Sequence, residues 1–316
     1  MTAVTGRGSR VAILGATGPT GRQLARELGG RGMTVRAVSR SAANLARVFA
    51  ATAVEQHAAD MLDAKATLAA IESAELVVDC IGAPIARIED HPATARSIAA
   101  AIRATGARAV QVSSWWAYVP IRRLPLDESQ PRPAGNRLAR ARREGEDVLA
   151  DAGAAIAHLP DFFGPEVQAS VLQQALAAAA DGKPVSWIGR PDTQREYGFV
   201  PDAMRMVADL AGHADAFGRH WIVPGAGPIT GRAIVALAER HLGRKLRLRA
   251  AGPLLLPLLA PFVPELRALR PMLGAYLRPL AFDGTRLRRL LGEPRLTPYD
   301  VAIPRTLDWL RARGPG

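Results

Sequence analysis

A chain of 316 residues with 41 Lys and Arg against 29 Asp and Glu, a formal charge of +12, can bury a sizeable core in one large domain or two. Its 48% hydrophobic and 22% charged content is ordinary for a soluble globular protein. The basic surplus suits an anionic partner; it is nearly all arginine, spread along the chain with neither a basic tail nor aromatics interleaved with basic residues, so an anionic cofactor is expected and nucleic acid is not.

No charged-then-apolar leader precedes Val11, and a cytoplasmic location is expected. The organising stretch is residues 11–21, VAILGATGPTG. An apolar run stops at Gly15, Gly18 and Gly21 follow at three-residue spacing, and a helical pattern begins at once. A buried strand, a glycine turn and a helix N-terminus in that order form an anion site, with backbone N–H groups and the positive end of the helix dipole aimed at a phosphate. Gly15 lets the chain turn, Gly18 leaves room for a pyrophosphate, and Gly21 lets the helix lie close to the strand. The expected contacts of a dinucleotide here are Gly15, Thr17, Gly18, Pro19, Thr20 and Gly21.

From this stretch to about Pro160, short apolar runs alternate with helical patterns. The patterning predicts strands over 10–14, 34–39, 54–57, 76–80, 109–113 and 154–159, and helices over 20–28, 41–49, 64–71, 92–104 and 136–150. Such alternation argues for a Rossmann-type, doubly wound parallel sheet with helices on both faces, whose ligand lies beyond the carboxyl ends of the strands. That rule makes Gly15, Arg40, Asp60, Gly82 and Ser113 neighbours. The basic run 137–143, followed by Glu144, Glu146 and Asp147, is expected on the solvated face of a helix. After Pro160 come a predicted helix over 167–180, an apolar element with Trp187, a short apolar segment over 197–200, a helix over 201–211, a short strand over 221–223 and a proline-richer, mostly helical tail. The expected division is a dinucleotide-binding domain over 1–160, with return elements around 195–224, and an interleaved, smaller substrate lobe over 161–316. The apolar stretch 251–263 is broken by Pro253, Pro257 and Pro261; it is too short to span a bilayer and is expected to pack or to cover a pocket, with a membrane-surface contact as the alternative.

Several residues in this frame carry chemistry. At the second strand end, where an acidic residue would bond a ribose 2′-hydroxyl, the chain has Ser39, Arg40 and Ser41. A guanidinium there pairs with a 2′-phosphate and favours NADP over NAD; the plain alternative is one surface arginine among many. Asp60 is a candidate acceptor for the adenine amino group with Met61 against the ring, and Asp63 a helix N-cap. Cys80, Ile81 and Gly82 end the fourth strand, where Gly82 would permit close approach of the cofactor. Cys80, the only cysteine, excludes an intrachain disulfide, allows a reducing compartment, and is expected as a small core residue, with no base near it. The six histidines have no close paired spacing, and no metal site is expected.

These residues resemble the short-chain dehydrogenase/reductase superfamily, and within it the extended and atypical members: the NAD(P)-dependent epimerase/dehydratase group and NmrA-like proteins. The likeness covers nearly the whole chain: GATGPTG, the acidic turn Asp60–Asp63, QVSS at 111–114, Asp161-Phe162-Phe163-Gly164-Pro165, and the stretch from Arg195 to Asp202, which is similar to the family's R-x-[YF]-x-x-V-x-D. The resemblance implies a catalytic Ser or Thr after the fifth strand and a Tyr and Lys four residues apart on the next helix. Aligning Gly145-Glu146 puts Leu138 at the tyrosine, Arg142 at the lysine and the serine position near Trp115. Leucine donates no proton and arginine stays charged, so the family's relay is missing, although Arg142 and Ser113 remain candidate cofactor contacts. Replacement acids are Tyr118 first, then Ser114, His158, Asp161 and Tyr197. For Tyr118 a pocket-wall aromatic, and for His158 a satisfied core histidine, are the alternatives. Trp115, Trp116, Phe162 and Phe163 group at the expected cleft mouth, and with His158, Asp161 and Tyr197 are the candidate substrate contacts; packing between the lobes is the competing account of the aromatics.

The reading is therefore an NADPH-dependent oxidoreductase that transfers hydride to a carbonyl, imine or activated alkene of a largely apolar small molecule, as a monomer or homodimer. The alternatives are a non-catalytic NADP-binding sensor or assembly protein of NmrA-like type, and an NAD(P)-dependent epimerase or isomerase.

Overall fold

The computed structural model describes residues 7–133, 135–168, 170–252 and 264–313. Its first half alternates β1 (Arg10–Leu14), α1 (Pro19–Gly30), β2 (Thr34–Ser39), α2 (Ala42–Phe49), β3 (Glu55–Ala58), α3 (Ala64–Ile71), β4 (Leu76–Asp79), α4 (Asp90–Thr105), β5 (Arg108–Ser114), α5 (Arg137–Asp151) and β6 (Ala155–Leu159). The second half carries β7 (Asp161–Phe163), α6 (Val171–Ala180), β8 (Val185–Ile188), β9 (Gln194–Phe199), α7 (Val200–Ala211), β10 (His220–Ile222), β11 (Pro228–Thr230), α8 (Gly231–Leu242) and β12 (Leu248–Ala251), then helices that include Thr285–Leu291 and Tyr299–Ala312.

Seven strands form one parallel sheet in the order β10-β6-β5-β4-β1-β2-β3. The order reverses between β1 and β4, which opens the crevice at the carboxyl end of β1. Alternate residues of the buried strands feed two cores. Val11, Ile13, Val78 and Val110 pack against Leu24, Leu28, Met204 and Val207 of α1 and α7. Ala12, Leu14, Val77 and Ile156 pack against Ile71, Ile98, Ile102 and Leu149 of α3, α4 and α5. Each such Leu or Ile contributes roughly 1.5–3 kcal/mol on burial, so the crevice sits on a stiff base.

The helix starts follow the local chemistry: the side chains of Ser41, Asp63 and Asn136 accept from backbone N–H groups of α2, α3 and α5. Helix α1 differs, for its N-cap is Gly18, without a side-chain acceptor, and Pro19 stands at its first position.

The smaller lobe packs α6, α8 and the helix Tyr299–Ala312 around Phe163, Trp187, Phe199 and Ile303. A three-stranded sheet, β11-β9-β7, and a ribbon of β12 with β8 complete it. A fourth cluster with Trp115, Tyr118, Leu138, Tyr276 and Phe282 joins the lobes. One expectation shifts. Helix α6 begins at Val171, not at 167, because Ser170 caps it and the chain before it turns through Glu166 at φ +67°. The tail is mostly helical, as expected, with the short strands β11 and β12 added. The apolar stretch expected to cover a pocket lies, from residue 253 to 263, outside the described residues. No helix among the described residues is long and apolar enough to cross a membrane.

Candidate functional site

The glycine turn has the geometry its sequence requires. Gly15 has φ +74°, and a Cβ there would lie 3.0 Å from the Cys80 carbonyl oxygen. A Cβ on Gly21 would lie 2.6 Å from Ala16 Cα and 2.7 Å from the Gly15 oxygen, so a glycine alone lets α1 approach the turn this closely. A Cβ on Gly18 would meet only the Gly15 oxygen, at 3.4 Å, which leaves its outer side open. Pro19 and Gly21 shape the helix start, and Thr20, buried, turns its hydroxyl to Cys80. The N-terminal N–H groups of α1, with no side-chain cap, are aimed at an anion.

This turn floors a cleft of about 230 Å³ lined by Gly15, Thr17, Gly18, Ser39, Arg40, Asp60, Met61, Cys80, Ile81 and Gly82, among others. Thr17 and Ser39 share a hydroxyl–hydroxyl bond of 3.1 Å at its side. Arg40 is exposed and has no hydrogen-bond or ion-pair partner among the described residues. Asp60 accepts from the Leu62 N–H through one carboxylate oxygen, and Asp63 caps α3 as expected. Met61 is buried against the sheet. Cys80 is half-buried between the core and the cleft, and burial pushes its thiol above its ordinary range. An uncapped helix start, an open glycine turn, an unpaired guanidinium and a carboxylate along one cleft fit a dinucleotide.

Ser113 and Arg142 do not line this cleft. They lie beneath α5 in a row of buried polar groups crossing the sheet from β4 to β10. Gln111 Nε2 donates to Asp79 Oδ2 at 3.1 Å, and Asp79 Oδ1 accepts from the Ile81 N–H at 2.9 Å. Ser113 donates to Glu146 in a short bond. Glu146 Oε1 is 3.7 Å from His158 Nδ1, whose ring bonds His220 through Nε2 to Nδ1 at 3.0 Å. Arg132 donates to Glu146 at 2.9 Å and also pairs with Asp147. Arg142 bonds His91 Nε2 at 3.2 Å, and Gly145 gives that ring its space, since a Cβ there would lie 2.2 Å from His91 Nδ1.

Burial dominates the protonation of this row. It pushes Glu146 up to about 7, against the opposing pull of Ser113, Arg132 and Arg142, and Asp79 up to about 6. Burial lowers His158 well below the usual imidazole range, with His220 and Arg132 adding to it, and lowers His220 to about 4 and His91 to about 3. The expectation that Glu146 sits on a solvated helix face is therefore corrected: it is wholly buried, because Ser113 and Arg132 satisfy it there. His158, as one of the two accounts held, is a partnered core histidine.

The proposed replacement acids and aromatics take varied places. Tyr118 is 1% exposed, its hydroxyl has no partner among the described residues, and its ring meets His158 edge-on at 4.9 Å. Ser114 caps the turn that begins at Trp115. Asp161 accepts from Trp115 Nε1 at 3.2 Å and from the Tyr276 hydroxyl at 2.9 Å, and lies 3.5 Å from Arg195. Tyr197, buried, is tied through its backbone to the Tyr299 hydroxyl. Trp115 and Phe163 are fully buried, whereas Trp116 and Phe162 are half-buried, so the aromatic grouping serves packing between the lobes more than a cleft wall. There is a second hollow of about 610 Å³; Val119, Pro120, Ile121, Leu124, Ala275 and Pro279 supply apolar walls, and the side chains of Arg122 and Arg278 stand at it with no hydrogen-bond or ion-pair partner among the described residues.

Glu146, Arg132, His91 and His220 were not singled out by the sequence. One signal was present: Glu146 falls among the inward positions Leu138, Ala141, Gly145 and Leu149 of α5. His158 and His220, far apart in sequence, meet because β10 pairs with β6.

The sequence model of the NAD dependent epimerase/dehydratase family matches residues 11–223. No curated protein matches the chain. Among solved structures, a protein of Burkholderia cenocepacia J2315 is similar at 22% identity and TM-score 0.80, over 98% of this chain and 100% of that one. An epimerase of the methanogen Methanothermobacter thermautotrophicus is similar at 16% identity and TM-score 0.82, over 97% and 93%. The UDP-glucuronic acid 4-epimerase of Bacillus cereus, solved with UDP-glucuronic acid and NAD, is similar at 11% identity and TM-score 0.80, over 96% and 99%.

Proposed function

The chain belongs to the NAD dependent epimerase/dehydratase family, and from that premise we propose that it is an NADP(H)-dependent oxidoreductase, reducing a carbonyl, imine or activated alkene of a largely apolar small molecule in the cytoplasm. The carrying observation is the unpaired Arg40 at the end of β2, on the same cleft as the uncapped N-terminus of α1. Gly15, Thr17, Gly18 and the first N–H groups of α1 hold the pyrophosphate; Arg40 and Ser39 take the 2′-phosphate; Asp60 and Met61 take the adenine end. Ile81 and Gly82 border the remaining part of the cleft, and no Cβ neighbour crowds Gly82. When bound, the reduced nicotinamide supplies a hydride, and the protein's share is to hold the acceptor close and dry. The apolar second hollow beyond α5's start at Asn136 supports an apolar acceptor. Residues 1–160 form the cofactor domain and 161–316 the substrate lobe in this account, and the chain acts as a monomer or homodimer.

Leu138 and Arg142, where the family's relay has tyrosine and lysine, favour a second reading: an NADP-binding sensor without turnover. The printed names of the similar structures favour a third, an epimerase. One assay separates them. Purified protein with NADPH and a panel of hydrophobic ketones, enones and imines is followed at the reduced-nicotinamide absorbance. Net consumption supports the reductase. Tight NADPH binding without turnover of any substrate supports the sensor, and isomerised substrate with no net consumption supports the epimerase.

A further inference from the structure

Reduction of a carbonyl consumes a proton as well as a hydride, and the tyrosine that the family resemblance places on α5 is Leu138 here. The buried row under α5 reaches the cofactor cleft at one end and the edge of the sheet at the other. At the edge, His220 is half-buried on β10. It donates from Nδ1 to His158 Nε2 across 3.0 Å, because His158 Nδ1 is turned to the Ser114 carbonyl oxygen at 3.3 Å and carries the proton there. The same Nδ1 lies 3.7 Å from Glu146 Oε1. At the cleft end, Asp79 bonds the backbone N–H of Ile81, a cleft residue. Between Glu146 and Asp79 stand Arg142 and Gln111, and Arg142 Nε, Gln111 Oε1 and His91 Nδ1 are buried polar atoms without protein partners among the described residues. Buried polar atoms left without protein partners are where internal waters bind.

We infer that His220, His158, Glu146 and Asp79, bridged by internal waters along Arg142 and Gln111, form a proton path from the surface at β10 to the cofactor cleft. It rests on the reductase reading for its purpose, and not for its existence. In each turnover the cleft takes one proton, which ends on the oxygen of a reduced carbonyl, the nitrogen of a reduced imine or the α-carbon of a reduced alkene. The Glu146 carboxyl releases that proton toward Asp79 and the cleft. A solvent acid first protonates His220 on Nε2; His158 then passes its Nδ1 proton to Glu146 Oε1 as it receives the Nδ1 proton of His220 on Nε2, which leaves both rings neutral. A ring flip of His158 and solvent exchange at His220 restore the starting tautomers, so one solvent proton is consumed for each hydride. Arg132 and Arg142 keep positive charge beside Glu146, Ser113 bonds it from β5, and Asp147 shares Arg132; Tyr118 faces Glu146 and His158, and Arg286 faces His220. With burial against these cations, Glu146 is balanced near neutral pH, where it can both hold and yield a proton. The arginine beside it also argues that the Glu146, His158 and His220 cluster carries protons and not a metal cation.

The test has two arms. In the first, ¹⁵N imidazole NMR of the cofactor-free protein follows His158 and His220 across pH. Both signals should move together in a step near pH 7 that belongs to Glu146, and Glu146→Gln, which keeps the shape and the Ser113 bond, should abolish that step. Independent titrations, unchanged in Glu146→Gln, overturn the path whether or not any substrate is turned over. In the second arm, Glu146→Gln should lower turnover by roughly a hundredfold and flatten its pH profile. His220→Asn should slow turnover and be rescued by free imidazole, which no structural role of His220 would permit. Unrescued loss, or full activity, in a folded His220→Asn protein overturns delivery by this route. If the NMR step is present and no substrate turns over, the reductase reading falls and the path stands as a proton store.

Discussion

Arg40→Ala isolates the cofactor reading from the stability of the fold. The guanidinium is exposed and makes no hydrogen bond or ion pair among the described residues, so its removal leaves no buried charge unpaired. The change in unfolding free energy should stay within about 0.5 kcal/mol. Binding is another matter, because a guanidinium on a phosphate makes paired, charge-assisted hydrogen bonds, each worth about 1.5–3 kcal/mol when well sheltered. Arg40 lies on the open rim of the cleft, so the lower end applies, and one tenfold step in affinity corresponds to about 1.4 kcal/mol. NADPH affinity should therefore fall by about ten- to a hundredfold while NADH affinity stays within about a factor of two. Isothermal titration calorimetry with both coenzymes, at two salt concentrations, measures this; the NADPH preference of the native protein should weaken as salt rises. Equal losses for both coenzymes, or none for NADPH, would refute the assignment of Arg40 to the 2′-phosphate.

Three further outcomes are expected. Gly21→Ala places a methyl group 2.6 Å from Ala16 Cα, which forces α1 away from the turn; thermal unfolding should show a loss of about 1–3 kcal/mol, with weakened binding of both coenzymes. Tyr118→Phe removes a buried hydroxyl that lacks a partner among the described residues, so the protein should gain up to about 1 kcal/mol of stability and keep its turnover; a large loss of turnover would make Tyr118 the acid after all. Glu146 and Asp79 keep protons in the folded protein at pH values where the unfolded chain has released them. Their contribution to stability is therefore lost as pH rises from the ordinary carboxylate range to about 7, while His158, His220 and His91, held neutral by burial, act in the opposite sense and cost stability as pH falls through the ordinary imidazole range. In urea titrations the stability of the native protein relative to Glu146→Gln should therefore fall from pH 5 to pH 8, and a relative stability that is constant or rises across that window would contradict the burial argument.

What could be read in advance was local. The stretch 11–21 shows its strand, turn and helix within eleven neighbouring residues, and Ser41, Asp63 and Asn136 announce the helices they cap. The acidic residues after the basic run of α5 show the opposite case. Glu144, Glu146 and Asp147 look alike in sequence, yet Glu146 alone is buried, because its partners come from Ser113 on β5 and from Arg132 before the helix. Trp115 and Phe163 fall near the expected cleft in the linear order, but contacts with Tyr276 and Tyr299, more than a hundred residues onward, decide that they are core. The second hollow is assembled from 119–124 and 271–279, whose meeting no pattern in either segment announces.

Arg195 bears on how the molecule comes apart. Its guanidinium lies 5.3 Å over Trp115 and 5.1 Å over Tyr276, faces Asp161, and donates to the carbonyl oxygens of Ala275, Tyr276 and Arg278. A single side chain thereby rivets the segment after β5 to a segment near the carboxyl terminus. Neither part can swing away on a hinge without stripping that cation of all these partners at once, so heat should melt both in one cooperative event.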